Sequence, residues 1–303
     1  MICISELNFS PIALDDRKRI LDVLSRGSRA TNEYSFATAF MWRYAYDLST
    51  CIYADRLIVR SDEKDPTYVF PSGGGDMKTV VDALLEHERV EGRMLTFNMI
   101  LPEDAEQLKA LYPDVFEFED NRDGYDYLYD TQSLITLSGR KLSSKRNHIN
   151  RFEEIHPEWV MEPITPENLD EVRAMNRAWC IEAGCADNES LALEHRAVEQ
   201  ALHHMQALKQ DGALIRSSGQ IMAFALGEPL NDSTYVVHVE KAIANVQGAY
   251  QLINREFAAK YAKDYALINR EDDAGDPGLR RAKMSYRPSG FVEKLIARQV
   301  QEV

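Results

Sequence analysis

The sequence predicts an α/β protein with mixed sheets, built from two similar units. Strand and helix patterns alternate along the chain, and an order of strand, glycine loop, helix, strand, helix and strand begins near Thr67 and again near Thr234. A repeated order with constant spacing is typical of an internal duplication. We therefore expect two domains, residues 1–138 and 158–303, joined by a connecting helix over residues 139–157.

Length and charge narrow the class of protein. A chain of 303 residues is long enough for two domains, and its net charge of −14 argues against a protein coated in nucleic acid or lying on an anionic membrane. Any site for a polyanion must therefore be local. No apolar run approaches the roughly 20 residues that a membrane helix needs, so we expect a soluble, cytoplasmic protein without a transmembrane segment.

The elements of the first half follow from capping residues and apolar periodicity. Ser10-Pro11 combines a capping residue with a proline at a helix start, so we expect a first helix as far as Arg26. The turn Ala54-Asp55-Arg56 divides two strand-like stretches into a hairpin. Helices are expected over 10–26, over 36–46, from 77 and from 102, and strands over 51–59, 67–71, 94–100, 115–118 and 125–137.

A glycine cluster precedes the helix at Met77. The segment Ser72-Gly-Gly-Gly-Asp76 could hold a phosphate through its amides, but it lacks the Lys-Ser/Thr of a phosphate loop. Glycine clusters form turns first, and Asp76 as a helix cap would repel an anion. We therefore interpret this segment as a structural turn.

A basic segment then separates the halves. Residues 140–152 contain five basic residues and no acid, and Leu142, Ile149 and Phe152 fall on one side of a helix. One interpretation is a solvated connecting helix, because charge runs are usually solvent-facing. The other is a phosphate-binding helix, which would explain an all-basic run in an acidic chain. The candidates for phosphate contact are Lys145, Arg146 and Asn147.

The second half repeats the pattern of the first. Thr165-Pro166 opens one helix, and Asp276-Pro277 opens another that Pro288 ends. Gly248 lies where a further helix begins, so the amides there could face an anion with no Cβ in the way. Helices are expected from 165, over 191–208, from 248 and over 276–284, and strands over 159–164, 213–216, 221–226, 234–239 and 265–268.

Cysteines and acids give no sign of a metal. The chain has four cysteines, Cys3, Cys51, Cys180 and Cys185. They show no Cys-x-x-Cys spacing, so we expect free thiols. The acidic run from Glu271 to Asp276 lacks the spacing of a calcium loop, and we expect no metal site.

Several segments together resemble a known family. They are Lys145-Arg-Asn-His-Ile-Asn-Arg-Phe152, His238-Val-Glu-Lys241, Gly248-Ala-Tyr250, Ile268-Asn-Arg-Glu271 and Leu279-Arg-Arg-Ala-Lys-Met-Ser-Tyr286. They are similar to the phosphatidylglycerol lysyltransferase C-terminal domain family. The resemblance implies two tandem GNAT acyltransferase domains, related to the Fem peptidyltransferases, in which an aminoacyl-tRNA can replace acyl-CoA as donor. The GNAT pyrophosphate loop, Arg/Gln-x-x-Gly-x-Gly/Ala, is changed here at Asn245 and Tyr250, which weakens an acyl-CoA donor.

Acyl transfer needs a base, an oxyanion donor and an acid. Glu240 and His238 lie two apart on a strand, so they share a face and either could be the base. The alternatives are an ion pair of Glu240 with Arg281 and a buried, hydrogen-bonded His238. Tyr286 resembles the phenol that protonates the leaving thiolate in some GNAT enzymes; alternatively it is a buried aromatic with a bonded hydroxyl.

The remaining candidates would bind the donor. They are Lys241, Gly248, Tyr250, Arg270, Arg281 and Lys283. The basic ones could contact phosphates of a tRNA or another nucleotide-containing donor, or could only neutralise the neighbouring acids. We expect an acyl or aminoacyl transferase with a small-molecule, peptide or lipid-headgroup acceptor. The alternatives are an acyl-CoA-dependent acetyltransferase and a binding or regulatory protein that keeps the fold without catalysis.

Overall fold

The computed structural model describes residues 7–27, 30–62 and 64–301. The chain divides into two compact units. The first unit contains residues up to Tyr125 and those from Val292 onward, and the second unit contains Asp126–Phe291. Elements are numbered along the chain.

The first unit is built on a seven-stranded mixed sheet. Its strands are β1 (Ser10–Pro11), β2 (Leu48–Tyr53), β3 (Arg56–Ser61), β4 (Thr67–Gly73), β5 (Thr96–Ile100), β6 (Phe116–Asp120) and β14 (Leu295–Gln299). Its helices are α1 (Arg17–Leu24), α2 (Phe36–Trp42), α3 (Met77–Val90) and α4 (Pro102–Leu111). The strand order is β1-β2-β3-β4-β5-β14-β6, and only β4 and β5 are parallel. The core includes Val80, Leu84 and Phe97, all with no exposed surface.

The second unit has a sheet of the same size. Its strands are β7 (Asp126–Asp130), β8 (Val160–Pro163), β9 (Asp211–Ser217), β10 (Gln220–Pro229), β11 (Thr234–Ala242), β12 (Leu267–Asn269) and β13 (Gly290–Val292). Its helices are α5 (Thr131–Thr136), α6 (Ser143–Ile155), α7 (Leu169–Ala183), α8 (Glu189–Leu208), α9 (Ala249–Phe257) and α10 (Pro277–Ser285). The strand order is β8-β9-β10-β11-β12-β7-β13, with β11 and β12 parallel. The predicted pair of similar mixed-sheet units is thus confirmed.

The two sheets exchange one strand each. In the first sheet β14 lies between β5 and β6, and in the second sheet β7 occupies the equivalent position between β12 and β13. Each unit therefore takes this strand from the other half of the sequence. The predicted boundaries, 1–138 and 158–303, differ from the observed units for this reason. Ala297 in β14 is completely buried, and β14 pairs antiparallel with both neighbours, which fixes it in the first sheet.

Local hydrogen bonding changed two of the expected elements. Ser10–Pro11 pairs with β2 as a short strand rather than capping a helix, and the helix α1 begins at Arg17. The strand expected over 125–137 ends at Asp130, because its carboxylate accepts a hydrogen bond from the Ser133 amide at 2.7 Å and caps α5. The segment expected to connect the domains does contain a helix, α6, with Ile149 and Phe152 fully buried, but this helix lies within the second unit.

The glycine loop of the first unit is a structural turn. Asp76 caps α3 by accepting from the Thr79 amide at 2.8 Å. A Cβ at Gly75 would lie 1.7 Å from the carbonyl oxygen of Ala54, so the loop packs directly on the β2–β3 turn. Glycine is needed here for this close approach.

The cysteine prediction was wrong for one pair. Cys180 and Cys185 form a disulfide, with their Cα atoms 5.4 Å apart. The chain turns back after α7 at Gly184, whose φ of +80° favours glycine, and this reversal brings the two residues together. Cys51 is a buried free thiol, whereas Cys3 lies outside the described residues. Within those described residues, no helix is both long and apolar enough to cross a membrane.

Candidate active site

The candidate site lies where two parallel strands separate. β11 pairs with β12 for three residues only, from Thr234 opposite Leu267 to Val236 opposite Asn269. β11 then continues alone on this side to Ala242. Strands that diverge leave an opening at which side chains from both can meet. Glu240 and Arg270 meet there.

An ion pair spans the opening. The Nη2 of Arg270 donates to Oε2 of Glu240, and Nδ2 of Asn254 in α9 donates to Oε1 at 2.7 Å. Burial disfavours the charged guanidinium, but the charge of Glu240 outweighs it, so the pKa of Arg270 is raised. The partner of Glu240 is therefore Arg270, and Arg281, the partner that we considered from the sequence, is exposed on α10.

Arg270 keeps two unused donors. Its Nε and Nη1 atoms are buried and have no hydrogen-bond partner among the described residues. A buried donor without a partner costs free energy, about 1–3 kcal/mol, which a ligand that accepts the hydrogen bond would recover.

Tyr286 lies directly beside this arginine. It follows the last residue of α10 and is 5% exposed. The centroid of its ring lies 4.8 Å from the Arg270 Cζ and 4.2 Å from the Nζ of Lys145 in α6. Burial raises the pKa of Tyr286 far above its ordinary value. In the part of the chain that the structure describes, its hydroxyl makes no hydrogen bond, which differs from the bonded hydroxyl that we considered from the sequence.

His238 is enclosed instead of open to a substrate. Its side chain has no exposed surface, and Nδ1 lies 2.8 Å from Glu271 while Nε2 lies 3.4 Å from Glu228. Burial disfavours the charged ring, but the two carboxylates outweigh it and raise the pKa of His238 to about 9. A ring that is protonated at neutral pH and sealed from solvent is poorly placed to take a proton from a substrate.

Two lysines expected at the donor site have partners of their own. The Nζ of Lys283 donates to the carbonyl oxygens of Arg270, at 2.6 Å, and Asp272, so it fixes the loop after β12. The Nζ of Lys241 lies 3.3 Å from the centroid of the Trp179 ring and 2.7 Å from Oε1 of Glu194. Burial lowers the pKa of both lysines.

The N-terminus of α9 is covered by α6. A Cβ at Gly248, whose φ is +91°, would lie 2.2 Å from the carbonyl oxygen of His148. The glycine therefore accommodates the backbone of a neighbouring helix. Tyr250, in the first turn of α9, accepts a hydrogen bond from the Trp179 indole at 3.1 Å.

The other candidates on the basic helix have different surroundings. Arg146 donates to the carbonyl oxygens of Leu137 and Gly139, so it binds the end of α5. Asn147 is exposed. Of the candidates on α6, only Lys145 reaches Tyr286, and Lys145 has no carboxylate partner among the described residues.

Sequence reasoning missed two neighbours of the site. Asn254 holds Glu240, and Tyr129 in β7 lies with its ring centroid 5.5 Å from the Arg270 Cζ. The position of Asn254 on the helix after Gly248 was a usable signal, because six residues bring it less than two turns along α9. No local signal points to Tyr129, since it arrives through the strand exchange.

Comparisons with known proteins agree with this fold. The family model described as "Phosphatidylglycerol lysyltransferase, C-terminal" matches residues 25–298. A conserved protein of unknown function from Bacteroides thetaiotaomicron is 36% identical over 97% of this chain and 100% of its own, with a TM-score of 0.92.

Two more distant structures share the fold. L-PGS from Bacillus licheniformis is 18% identical, with a TM-score of 0.67 over 97% of this chain and 94% of its own. The C-terminal domain of a putative lysylphosphatidylglycerol synthetase from Agrobacterium fabrum is 16% identical, with a TM-score of 0.63 over 95% and 92%. The expected fold of two similar α/β units with mixed sheets is thereby confirmed.

Proposed function

Because this chain belongs to the phosphatidylglycerol lysyltransferase C-terminal family, we propose that it transfers an aminoacyl group from aminoacyl-tRNA to an acceptor hydroxyl or amine. The family and the GNAT-like fold support the class of acyltransferase. The observation that carries the finer proposal is the buried Tyr286, whose ring lies beside Arg270, the ion-pair partner of Glu240, and whose hydroxyl makes no hydrogen bond to any described residue.

The raised pKa of Tyr286 favours an ester as the acyl donor over a thioester. Proton transfer to a leaving group is downhill only when that group, once protonated, has a higher pKa than the acid that protonated it. A thiolate is a weak base, with a pKa of about 8.5 for its thiol, and protonating it from a phenol with a raised pKa is unfavourable. The ribose oxygen that leaves aminoacyl-tRNA is a far stronger base. Tyr286 is therefore better matched to a tRNA ester than to coenzyme A.

Glu240 is the group to which we assign the proton of the acceptor. A carboxylate offers about four lone-pair positions, and Asn254 and Arg270 use two of them. The side chain is 11% exposed, so an acceptor hydroxyl could reach it. We assign His238 a supporting role, because its ring is sealed between Glu228 and Glu271.

The surroundings of α9 also favour a donor other than acyl-CoA. The close approach of the His148 carbonyl to Gly248 places a negative partial charge where a pyrophosphate would need amide donors. The basic helix α6 offers exposed cations, Arg140 and Lys141 near its start and Arg151 within it, to the backbone of an RNA. Binding through such contacts weakens steeply with salt, because it releases counterions.

The test combines binding with transfer. Calorimetric titration of the full chain with lysyl-tRNA and with acetyl-CoA at two salt concentrations should give salt-dependent binding of the tRNA and weak binding of acetyl-CoA. Transfer of labelled lysine should then fall by about 10²–10⁴ in Glu240→Gln. Tight, salt-insensitive binding of acetyl-CoA would overturn the proposal in favour of an acetyltransferase, and no transfer from any charged tRNA would favour a binding protein.

A further inference from the structure

The connection between α7 and α8 carries a disulfide at its base. Cys180 lies in the last turn of α7 and is 8% exposed, whereas Cys185 follows the reversal of the chain and is half-buried. Residues 181–190 are all exposed or half-buried. The backbone hydrogen bonds of this turn are local, such as the one from the Gly184 amide to the Ile181 carbonyl. The disulfide therefore ties an exposed segment to a buried position of α7.

The position of this disulfide argues against a purely stabilising role. A disulfide stabilises a fold mainly by restricting the unfolded chain, and the restriction grows with the length of the loop that it closes. Here the two cysteines are only five positions apart, so the closed loop is short. Cys185 is the more accessible residue of the two, so a small thiol can approach it. Accessible disulfides are typically the labile or regulatory ones.

The residue before the disulfide contacts both elements that hold the candidate carboxylate, Glu240. The indole of Trp179 donates to the Tyr250 hydroxyl at 3.1 Å, and its ring centroid lies 3.3 Å from Nζ of Lys241. Lys241 directly follows Glu240 in β11. Tyr250 lies one helical turn before Asn254, which donates to Glu240 at 2.7 Å. Trp179 therefore supports the strand end and the helix that together position Glu240.

The same lysine is also held from the other side of the disulfide. Glu194, near the start of α8, accepts a hydrogen bond from Nζ of Lys241 at 2.7 Å. One ammonium thus joins α7 and α8, and the disulfide closes the connection between these two helices. Lys241 is 4% exposed, and a buried charge that loses its partner is costly. A displacement of the two helices would therefore draw Lys241 with it and reach the end of β11.

We propose that Cys180 and Cys185 form a reversible redox pair, and that its reduction loosens the support of Glu240 and slows transfer. In the reduction, the thiolate of a small-molecule thiol such as glutathione attacks Sγ of Cys185, the disulfide bond breaks, and Sγ of Cys180 leaves as a thiolate that takes up a proton. A second thiol attacks the mixed disulfide and releases Cys185. Two external thiols are thereby oxidised to one disulfide, and the pair gains two electrons and two protons. The slower transfer rests on the proposed function, whereas the redox chemistry does not.

The test places the full chain in buffers with increasing ratios of reduced to oxidised glutathione and traps free thiols with a maleimide for mass spectrometry. Cys180 and Cys185 should be reduced together while circular dichroism shows a folded protein, and they should reoxidise when the ratio is reversed. Hydrogen exchange of residues 181–194 should be faster in the reduced protein, while that of α3 in the first unit stays unchanged. Transfer of lysine from lysyl-tRNA should fall by about fivefold or more on reduction, a typical size for coupling between two sites.

Two variants separate the pair from the other thiols. The double variant Cys180→Ser with Cys185→Ser should show the exchange and the transfer of the reduced protein in every buffer. Cys51→Ser removes the buried free thiol of the first unit and should keep the wild-type response.

Three results contradict the proposal. A disulfide that is reduced only when the protein unfolds would overturn the redox pair, and reduction that leaves the exchange of residues 181–194 unchanged would overturn the loosening of the segment. Equal transfer in the oxidised and reduced states would overturn the effect on Glu240. A complete redox and exchange response, with no transfer from any charged tRNA, would instead retain the pair and reject the proposed function.

Discussion

The two units share a strand order but treat the end of their fourth strand differently. In both, the parallel strand pair is short, so both have room for an opening. In the first unit the residue just past the paired stretch, Phe70, packs against Phe97 in edge contact, with ring centroids 5.1 Å apart. In the second unit Arg270 and Glu240 occupy the opening. Both units therefore have the same arrangement of strands at this position. Apolar side chains make it part of the core in the first unit, and charged side chains make it a candidate site in the second.

The buried charged side chains of the two units also differ. In the first unit Lys294 has no exposed side-chain surface and pairs with Glu33 at 2.7 Å, while Glu88 pairs with Arg93 at 2.7 Å. These pairs have a structural explanation. In the second unit Arg270 retains two buried donors, Nε and Nη1, that no described residue accepts from. An unsatisfied charged group costs stability, so it indicates a function more strongly than a buried pair does.

The largest expected effect tests whether the first unit needs the C-terminal strand β14 to fold. A fragment of residues 1–138 lacks β14 and should show no cooperative thermal transition, because β5 and β6 have no strand between them. The matched control joins residues 7–125 to residues 292–301 through a flexible linker and should restore a transition. Circular dichroism distinguishes the two fragments. Cooperative melting of residues 1–138 would contradict the need for β14.

Two tyrosine substitutions in the second unit distinguish a residue that acts in catalysis from one that stabilises the fold. Tyr127 donates to Asp273 at 2.5 Å, so Tyr127→Phe should lower the free energy of unfolding by about 1–3 kcal/mol with little direct effect on chemistry. Tyr286→Phe removes a hydroxyl that makes no hydrogen bond to any described residue, so it should change stability by less than about 0.5 kcal/mol. Transfer should nevertheless fall about 10²-fold. Unchanged transfer in Tyr286→Phe would remove its assignment as the acid.

The smallest expected effect concerns the pH dependence of the sealed histidine. The pKa of His238 is raised in the folded state to about 9, from about 6.5 when unfolded. The stabilisation is therefore fully present below pH 6.5 and is lost as the pH rises towards 9. We expect about 2–3 kcal/mol, measured by denaturant unfolding at pH 6, 7.5 and 9. His238→Gln should flatten the profile in this window, and an equally steep profile in that variant would assign the effect to other groups.

The sequence predicted what depends on local patterns. The repeated order, a helix after Gly139 and the structural turn at Ser72–Asp76 follow from periodicity, glycine and capping, and the structure contains all three. Glu240, Arg270, Tyr286 and Lys145 were candidates, and the fold brings them together. Their roles remain predictions.

What could not be predicted depends on contacts between distant parts of the chain. The exchange of β7 and β14 depends on which strands pair with each other, and the sequence of a single strand does not show its partners. Because Arg270 and Arg281 are equally basic, composition could not select the partner of Glu240. Gly248 suggested an anion site, but its missing Cβ accommodates the backbone of α6 at His148, and only the packing of two helices could reveal that.

The strand exchange also has a consequence for protein synthesis. The last residue of β6 is Asp120, but the strand that fills the gap beside it begins at Leu295. At about 5–20 residues per second, a ribosome needs roughly 10–35 s to make the intervening chain. Throughout that time β5 and β6 have edges that can pair with other nascent chains. The first unit to be translated is thus completed only after the last strand of the chain, Leu295–Gln299, has been made.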